Sequence, residues 1–350
     1  MEELRQRLVQ FLEDNSQQVA REVEKLQNAE NERDTHNLDD KDLNIPDANS
    51  YLSFLTEALK MNDDEIYSDY IKWVKLLLRE QDISEEIIHT MLNLIKDVLN
   101  GHLTPDLSDV FSRYHEAGIK QLKEPVKESD SYIDINAPLG KLAKSYNEAL
   151  LNGDKNSANG MVMEAVKVGT SIKDIYLHVF QKSQLEVGRL WLMNEITVAK
   201  EHYASAATQL IMSQLYPYIF NTERVGHTFV GACIGGELHE LGIRMVGDFF
   251  EMEGWDTYYL GANTPVTTII SAIEENHADV IGLSVSMPYY RSIVKEGIDE
   301  IRQHFGPSCP KILVGGNGIN HNKEVWKYLG ADGYGSDAQE AVDRANQLIK

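Results

Sequence analysis

From about residue 226 onward, short runs rich in β-branched and aromatic residues, HTFVGACI, TYYL, VIGLSVS, KILVGG and DGYG, alternate with helical stretches of ordinary length. That alternation leaves few folds open. Consecutive strands joined through helices form a parallel sheet covered on both faces, with each crossover right-handed. In such open sheets a ligand sits beyond the carboxyl ends of the strands, near the point where strand order reverses. The residues just after each strand are therefore where function should be sought.

Five such units resemble a flavodoxin-like, Rossmann-type domain, expected over 226–350 with a five-stranded parallel sheet. The preceding part of the chain reads as helix. Over 132–222 four helical pieces begin near Pro138, Asn156, Ser171 and Val198, joined by short turns as in an antiparallel four-helix bundle. Ile172, Ile175, Tyr176, Val179, Phe180, Val187, Leu190 and Trp191 form one apolar stripe of its third helix. Residues 1–125 read as an all-α domain. Leu4, Leu8, Phe11 and Leu12, and later Tyr70, Trp73, Val74 and Leu77, recur at helical spacing, and Ser84 before Glu85 and Glu86 marks a helix start. An acid-rich stretch from Asn28 to Asn44, ending at Pro46, reads as a loop, and a Pro/Lys/Glu/Ser/Asp-rich stretch, Lys123 to Ser131, as the break before the bundle.

The chain's 350 residues suffice for two or three cores, and 42% hydrophobic with 25% charged residues is ordinary for a globular protein. A net charge of −22 argues against a nucleic-acid partner, which needs a basic surface. Cys233 and Cys309 have no metal-ligand spacing and cannot form a disulfide framework, which suits a reducing cytoplasm. No signal-peptide core and no membrane-length apolar run is present, so the expected location is cytoplasmic.

After the first strand comes Gly235-Gly236-Glu237-Leu238-His239-Glu240-Leu241-Gly242. A histidine in a strand-to-helix loop can offer an imidazole nitrogen to a metal, and a nearby carboxylate can hold its other N–H. Gly236 and Gly242 leave room for close approach. Alone, this pattern is weak, since a lone histidine after a strand is more often a helix cap or a surface residue than a ligand. Forty-one residues separate Gly242 from Ser284-Val285-Ser286, at the end of the third strand, and Gly315-Gly316 ends the fourth. The series resembles the cobalamin-binding signature Asp-x-His-x-x-Gly, Ser-x-Leu, Gly-Gly. The resemblance implies that His239 is the lower axial ligand to cobalt, displacing the cofactor's own base. It also implies that the nucleotide tail threads past Ser284 and beside Gly315 and Gly316. Glu237 departs from the family's aspartate, and Ser286 from its leucine.

In the bundle, nine residues separate Trp191 from Glu201-His202. With its surroundings, LEVGRLWLMNEITVAKEHYASAATQL, this is similar to the cap of cobalamin-dependent photoreceptors such as the light-dependent MerR-type repressors of carotenoid genes. The resemblance implies that Trp191 covers the upper corrin face, with Glu201 and His202 toward the upper ligand. The run Ala204 to Thr208 keeps that helix thin. Leu192 stands where those repressors carry a second histidine, and residues 1–125 show no match to their DNA reader.

The function these resemblances imply is a non-enzymatic light sensor. Adenosylcobalamin is the favoured form, with methyl- and aquo-cobalamin as alternatives, and photolysis of the Co–C bond would shift bundle against sheet. Residues 1–125 would dock a protein signalling partner, and the chain is expected to form a homo-oligomer without binding DNA. Two rivals remain, a corrinoid methyl carrier of a methyltransferase system and a light-independent cobalamin sensor.

Overall fold

The computed structural model describes residues 1–31, 46–80, 83–125, 130–193, 195–220, 222–320 and 324–350. The chain divides into two compact units, Met1–Ser129 with Leu192–Glu195, and Asp130–Trp191 with Ile196–Lys350.

The first unit contains α1 (Glu2–Asn31), α2 (Ala48–Met61), α3 (Glu65–Glu80), α4 (Glu86–His102) and α5 (Pro105–Lys123). Residues at helical spacing share its core: Leu8, Leu12, Val19 and Val23 of α1, Leu52, Leu55 and Leu59 of α2, and Ile71, Val74 and Leu78 of α3. Local signals set the ends. Asp47 caps α2 by accepting from the Ser50 N–H (2.9 Å), and the Ser84 hydroxyl accepts from Glu86 N–H (3.2 Å) at the start of α4. Pro105 opens α5, where its missing N–H costs nothing. The buried Lys75 ammonium donates to the Leu122 and Glu124 carbonyls at the end of α5 (2.6 and 3.0 Å), where a cation meets the negative end of the helix. Asn28 to Asn31, expected in a loop, continue α1; the rest of that acid-rich stretch, through Asn44, and residues 126–129 of the expected break lie outside the described residues.

The second unit begins with α6 (Gly140–Leu151), α7 (Lys155–Lys167), α8 (Ile172–Ile175), α9 (Gln181–Leu192) and α10 (Val198–Ile219), and a π-helical segment, Tyr176–Phe180, joins α8 and α9 into one continuous run. These four runs match the four expected pieces. The sheet follows, with β1 (Thr228–Ile234), α11 (Leu241–Met252), β2 (Asp256–Thr264), α12 (Val266–Asn276), β3 (Val280–Ser284), α13 (Arg291–Phe305), β4 (Lys311–Gly315), α14 (Asn317–Asn320), α15 (Val325–Tyr328), β5 (Gly333–Gly335) and α16 (Ala338–Leu348). Its strands run parallel in the order β2-β1-β3-β4-β5. β1 and β3 are adjacent, and the order reverses between them, so the loops leaving these two strands diverge and open a crevice.

Leu192–Glu195 apart, the helices of 132–222 and the α/β part of 226–350 pack into one compact unit. Their buried side chains form one cluster, in which Tyr176, Phe180 and Ile211 of the helices join Phe249, Phe250 and Trp255 of the α/β part. The expected stripe of the third helix supplies part of it: Ile175, Tyr176, Val179, Phe180 and Val187 are buried, and Ile172, Leu190 and Trp191 pack at its margin.

Candidate functional site

The crevice at the strand ends is built around Glu237. It is fully buried, yet its carboxylate has four partners. One oxygen accepts from the His239 N–H (3.0 Å) and meets His239 Nδ1 at 2.6 Å. The other accepts from the N–H groups of Ser286 and Met287 (2.7 and 3.1 Å), just beyond β3. Burial pushes this carboxyl upward, but the hydrogen bonds from His239 and Ser286 outweigh it and hold it below the usual range. A carboxylate only accepts, so the proton of a neutral His239 ring lies on Nδ1 and the lone pair on Nε2. Nε2 makes no hydrogen bond among the described residues, and the side chain is 62% exposed. The bond to Glu237 also raises the pKa of His239.

The loop carrying this pair depends on glycine. Gly235 and Gly236 have φ of 52° and 85°, and a Cβ on Gly235 would lie 2.4 Å from Ile293 Cγ2. A Cβ on Gly242 would meet open space, so no protein neighbour requires a glycine there. Glu240 points away from its neighbour's ring: it accepts from Ala262 N–H of β2 (3.0 Å) and from Gln209 Nε2 of α10 (3.3 Å). Cys233, beneath the loop, is buried and pushed up to about 12 by that burial, so it acts as packing and not as a nucleophile.

Ser284 is buried in register between Cys233 and Gly315. Ser286, by contrast, takes part through its backbone N–H. Gly315 and Gly316 are small for a nearer reason than an open channel. A Cβ on Gly315 would come within 2.7 Å of the Gly335 carbonyl oxygen, and one on Gly316, at φ 102°, within 2.5 Å of the Val285 carbonyl oxygen.

Among the bundle residues, Glu201 comes into the electrostatic reach of His239 and adds to its raised pKa. Its carboxylate accepts from Ser205 (2.9 Å) and pairs with His202, whose ring is 75% exposed. Trp191 packs at the margin of the core near the end of α9. Thus Glu237, His239, Ser286 and Glu201 converge, while His202 faces solvent.

What can this arrangement hold? Glu237 is fully engaged, so the pair offers a metal one donor, Nε2 of His239. That fits a metal already carried in its own macrocycle, to which His239 would add one nitrogen, and the exposed Leu238 next in the chain suits a flat, partly apolar ligand. Sequence reasoning missed Asn263 and Tyr290, whose side chains bond the loop at Gly236. No local pattern marks them, since they lie 27 and 54 residues away in the chain.

Residues 227–343 match one B12 binding domain model and residues 142–216 a second. A corrinoid protein of Desulfitobacterium hafniense is 24% identical over 208 residues, covering 58% of this chain and 94% of its own length. The dimethylamine corrinoid protein of Methanosarcina barkeri is 26% identical over 167 residues, covering 47% of this chain and 75% of its own. The structure of the Methanosarcina barkeri monomethylamine corrinoid protein shares the fold, with a TM-score of 0.53 at 16% identity, covering 61% of this chain and 99% of that one. Among the described residues, no helix is long and apolar enough to cross a membrane. Its two B12 binding domains, one helical and one α/β, place this chain in a cobalamin-binding family.

Proposed function

We propose that this protein is a corrinoid carrier, which holds cobalamin through His239 and passes a methyl group between partner proteins. One observation carries the reading: a buried carboxylate fixes the His239 ring by Nδ1, while the side chain stays 62% exposed and Nε2 makes no hydrogen bond among the described residues. The corrinoid proteins among its relatives, two of them named for methylamines, support the methyl cargo. When bound, the cobalt would supply the bond that takes up and releases the methyl group. The chain's own part is to orient the ring, to keep Glu237 ionised against it, and to admit the nucleotide tail beside Ser284, Gly315 and Gly316. Residues 1–125 would then dock a partner.

A second reading, the light sensor, is favoured by one feature. Trp191, Glu201 and His202 have the spacing of a photoreceptor cap, and Glu201 does lie within electrostatic reach of His239. Adenosylcobalamin would be its cofactor and an altered homo-oligomer its output.

Loading the full chain separately with methylcobalamin and adenosylcobalamin in the dark separates the two. A carrier gives up its methyl group to an added small thiol, and its size-exclusion profile is indifferent to green light. A light-driven change of assembly in the adenosyl form, without methyl transfer, replaces the carrier by the sensor. An absorption spectrum unchanged by His239→Ala removes the basis of both.

A further inference from the structure

Gly236 is gripped from two sides by side chains remote in the chain. Its N–H donates to Asn263 Oδ1 (2.8 Å), and its carbonyl accepts from the Tyr290 hydroxyl (2.9 Å). Asn263 holds on twice, because its own N–H donates to the Glu237 carbonyl (2.9 Å). It does so at φ 49°, a left-handed conformation that asparagine tolerates better than most side chains. The Tyr290 ring also fills the space beside Gly236, where a Cβ would lie 3.2 Å from it.

The consequence concerns freedom. Two consecutive glycines at positive φ give the ligand loop many unfolded alternatives. The carboxylate of Glu237 fixes the ring, but only if the peptide before it is already in place. A loop that is competent for part of the time weakens apparent affinity in proportion to that fraction.

We propose that Asn263 and Tyr290 are positioning residues that hold the Gly236 peptide so that Glu237 and His239 stand ready for cobalt before the corrinoid arrives. This rests on the reading of His239 as the axial ligand. Asn263 comes from the end of β2 and Tyr290 from the segment after β3, so the grip joins the loop to both strands that flank β1.

The test uses the full chain, uniformly labelled with heavy nitrogen, freed of corrinoid and titrated with cob(II)alamin. Electron paramagnetic resonance then separates a protein nitrogen on cobalt, which gives a two-line splitting, from the cofactor's own unlabelled base, which gives three lines. Asn263→Ala and Tyr290→Phe should each bind about tenfold more weakly, as the loss of one hydrogen bond at a preorganised site implies. They should also show a smaller two-line fraction at saturation, while melting as the parent does without corrinoid. Asn263→Asp, which keeps the acceptor and tolerates the backbone, should stay near the parent. Asn263→Gly, which keeps only the backbone freedom, should match Asn263→Ala.

Parent-like affinity and two-line fraction in both Asn263→Ala and Tyr290→Phe overturn the proposal. So does parent-like behaviour of Asn263→Gly, which would reduce Asn263 to a conformational role. A His239→Ala protein that still shows the two-line splitting overturns the axial-ligand reading itself, and this proposal with it.

Discussion

Replacing Asp248 by asparagine should strengthen the cobalamin-binding unit near neutral pH and flatten its response to acid. Asp248 lies on α11, 8% exposed, and accepts a hydrogen bond from the Tyr176 hydroxyl of the π-helical segment (2.7 Å). Arg244 stands one turn earlier, donating to Ser213 and Tyr216 of α10 (3.0 and 3.1 Å). Burial pushes the Asp248 carboxyl up to about 6, and the Tyr176 hydroxyl and Arg244 charge offset this only in part. In the unfolded chain the group returns to its ordinary 3.8. The folded state thus binds this proton more tightly than the unfolded one. Its contribution to stability is fully present below the unfolded value and is lost as pH rises through 6. A rise of about two pH units at about 1.4 kcal/mol per unit makes the ionised group cost up to about 3 kcal/mol at neutral pH. Asparagine keeps an acceptor for Tyr176 and carries no charge.

Other carboxylates and histidines titrate in the same interval, so only the difference between parent and variant isolates Asp248. The two units need not unfold together, so the readout should be local: urea titration followed by hydrogen exchange of the α11 peptide. Between pH 4 and 7.5 the stability gap should widen in favour of Asp248→Asn by about 2–3 kcal/mol. A gap that stays constant over that range refutes the reasoning, because it would mean that Asp248 is ionised inside the fold without cost.

Three further outcomes are expected. Glu237→Gln removes the charge that orients the His239 ring, and cob(II)alamin titration should show binding about 10–100-fold weaker. Gly316→Ala places a Cβ 2.5 Å from the Val285 carbonyl oxygen at φ 102°, and thermal unfolding should report a loss of about 1–3 kcal/mol or more. Lys75→Met keeps the buried stem but strips the cap from the end of α5, and hydrogen exchange in α5 should rise by an amount equivalent to about 1–3 kcal/mol.

Period and punctuation made much of this legible. The five strands were readable because their apolar runs end at glycine, serine or a charged turn, and the four helical pieces because their stripes repeat. The Glu237-x-His239 pair could be read because its partners are two residues apart. What escaped were features fixed by distant pairing. The second strand continues past the aromatic run TYYL to Thr264 despite Gly261 and Asn263, because its hydrogen bonds to β1 carry it through two irregularities of register. Bundle and sheet could not be seen to share a core, since Tyr176 and Asp248 lie 72 residues apart. Gly315 and Gly316 were recognised as necessary, but the backbones that require them belong to Gly335 and Val285 and leave no trace in the motif.

The two departures from the cobalamin signature have one explanation. An aspartate at 237 would have a shorter arm; glutamate is long enough to serve the His239 ring with one oxygen and, with the other, the N–H groups of Ser286 and Met287. What the carboxylate recognises at position 286 is therefore main chain, which serine presents as well as leucine does. The side chain there is released from that part of the task, and a polar residue costs the arrangement nothing. Because β1 and β3 are parallel neighbours in register, the chain emerges side by side at their ends although some fifty residues separate Glu237 from Ser286. A single buried charge then ties both together, and its four hydrogen bonds offset the cost of holding it out of water. The histidine inherits its aim from that tie, which makes the motif's acid as important to the site as the imidazole beside it.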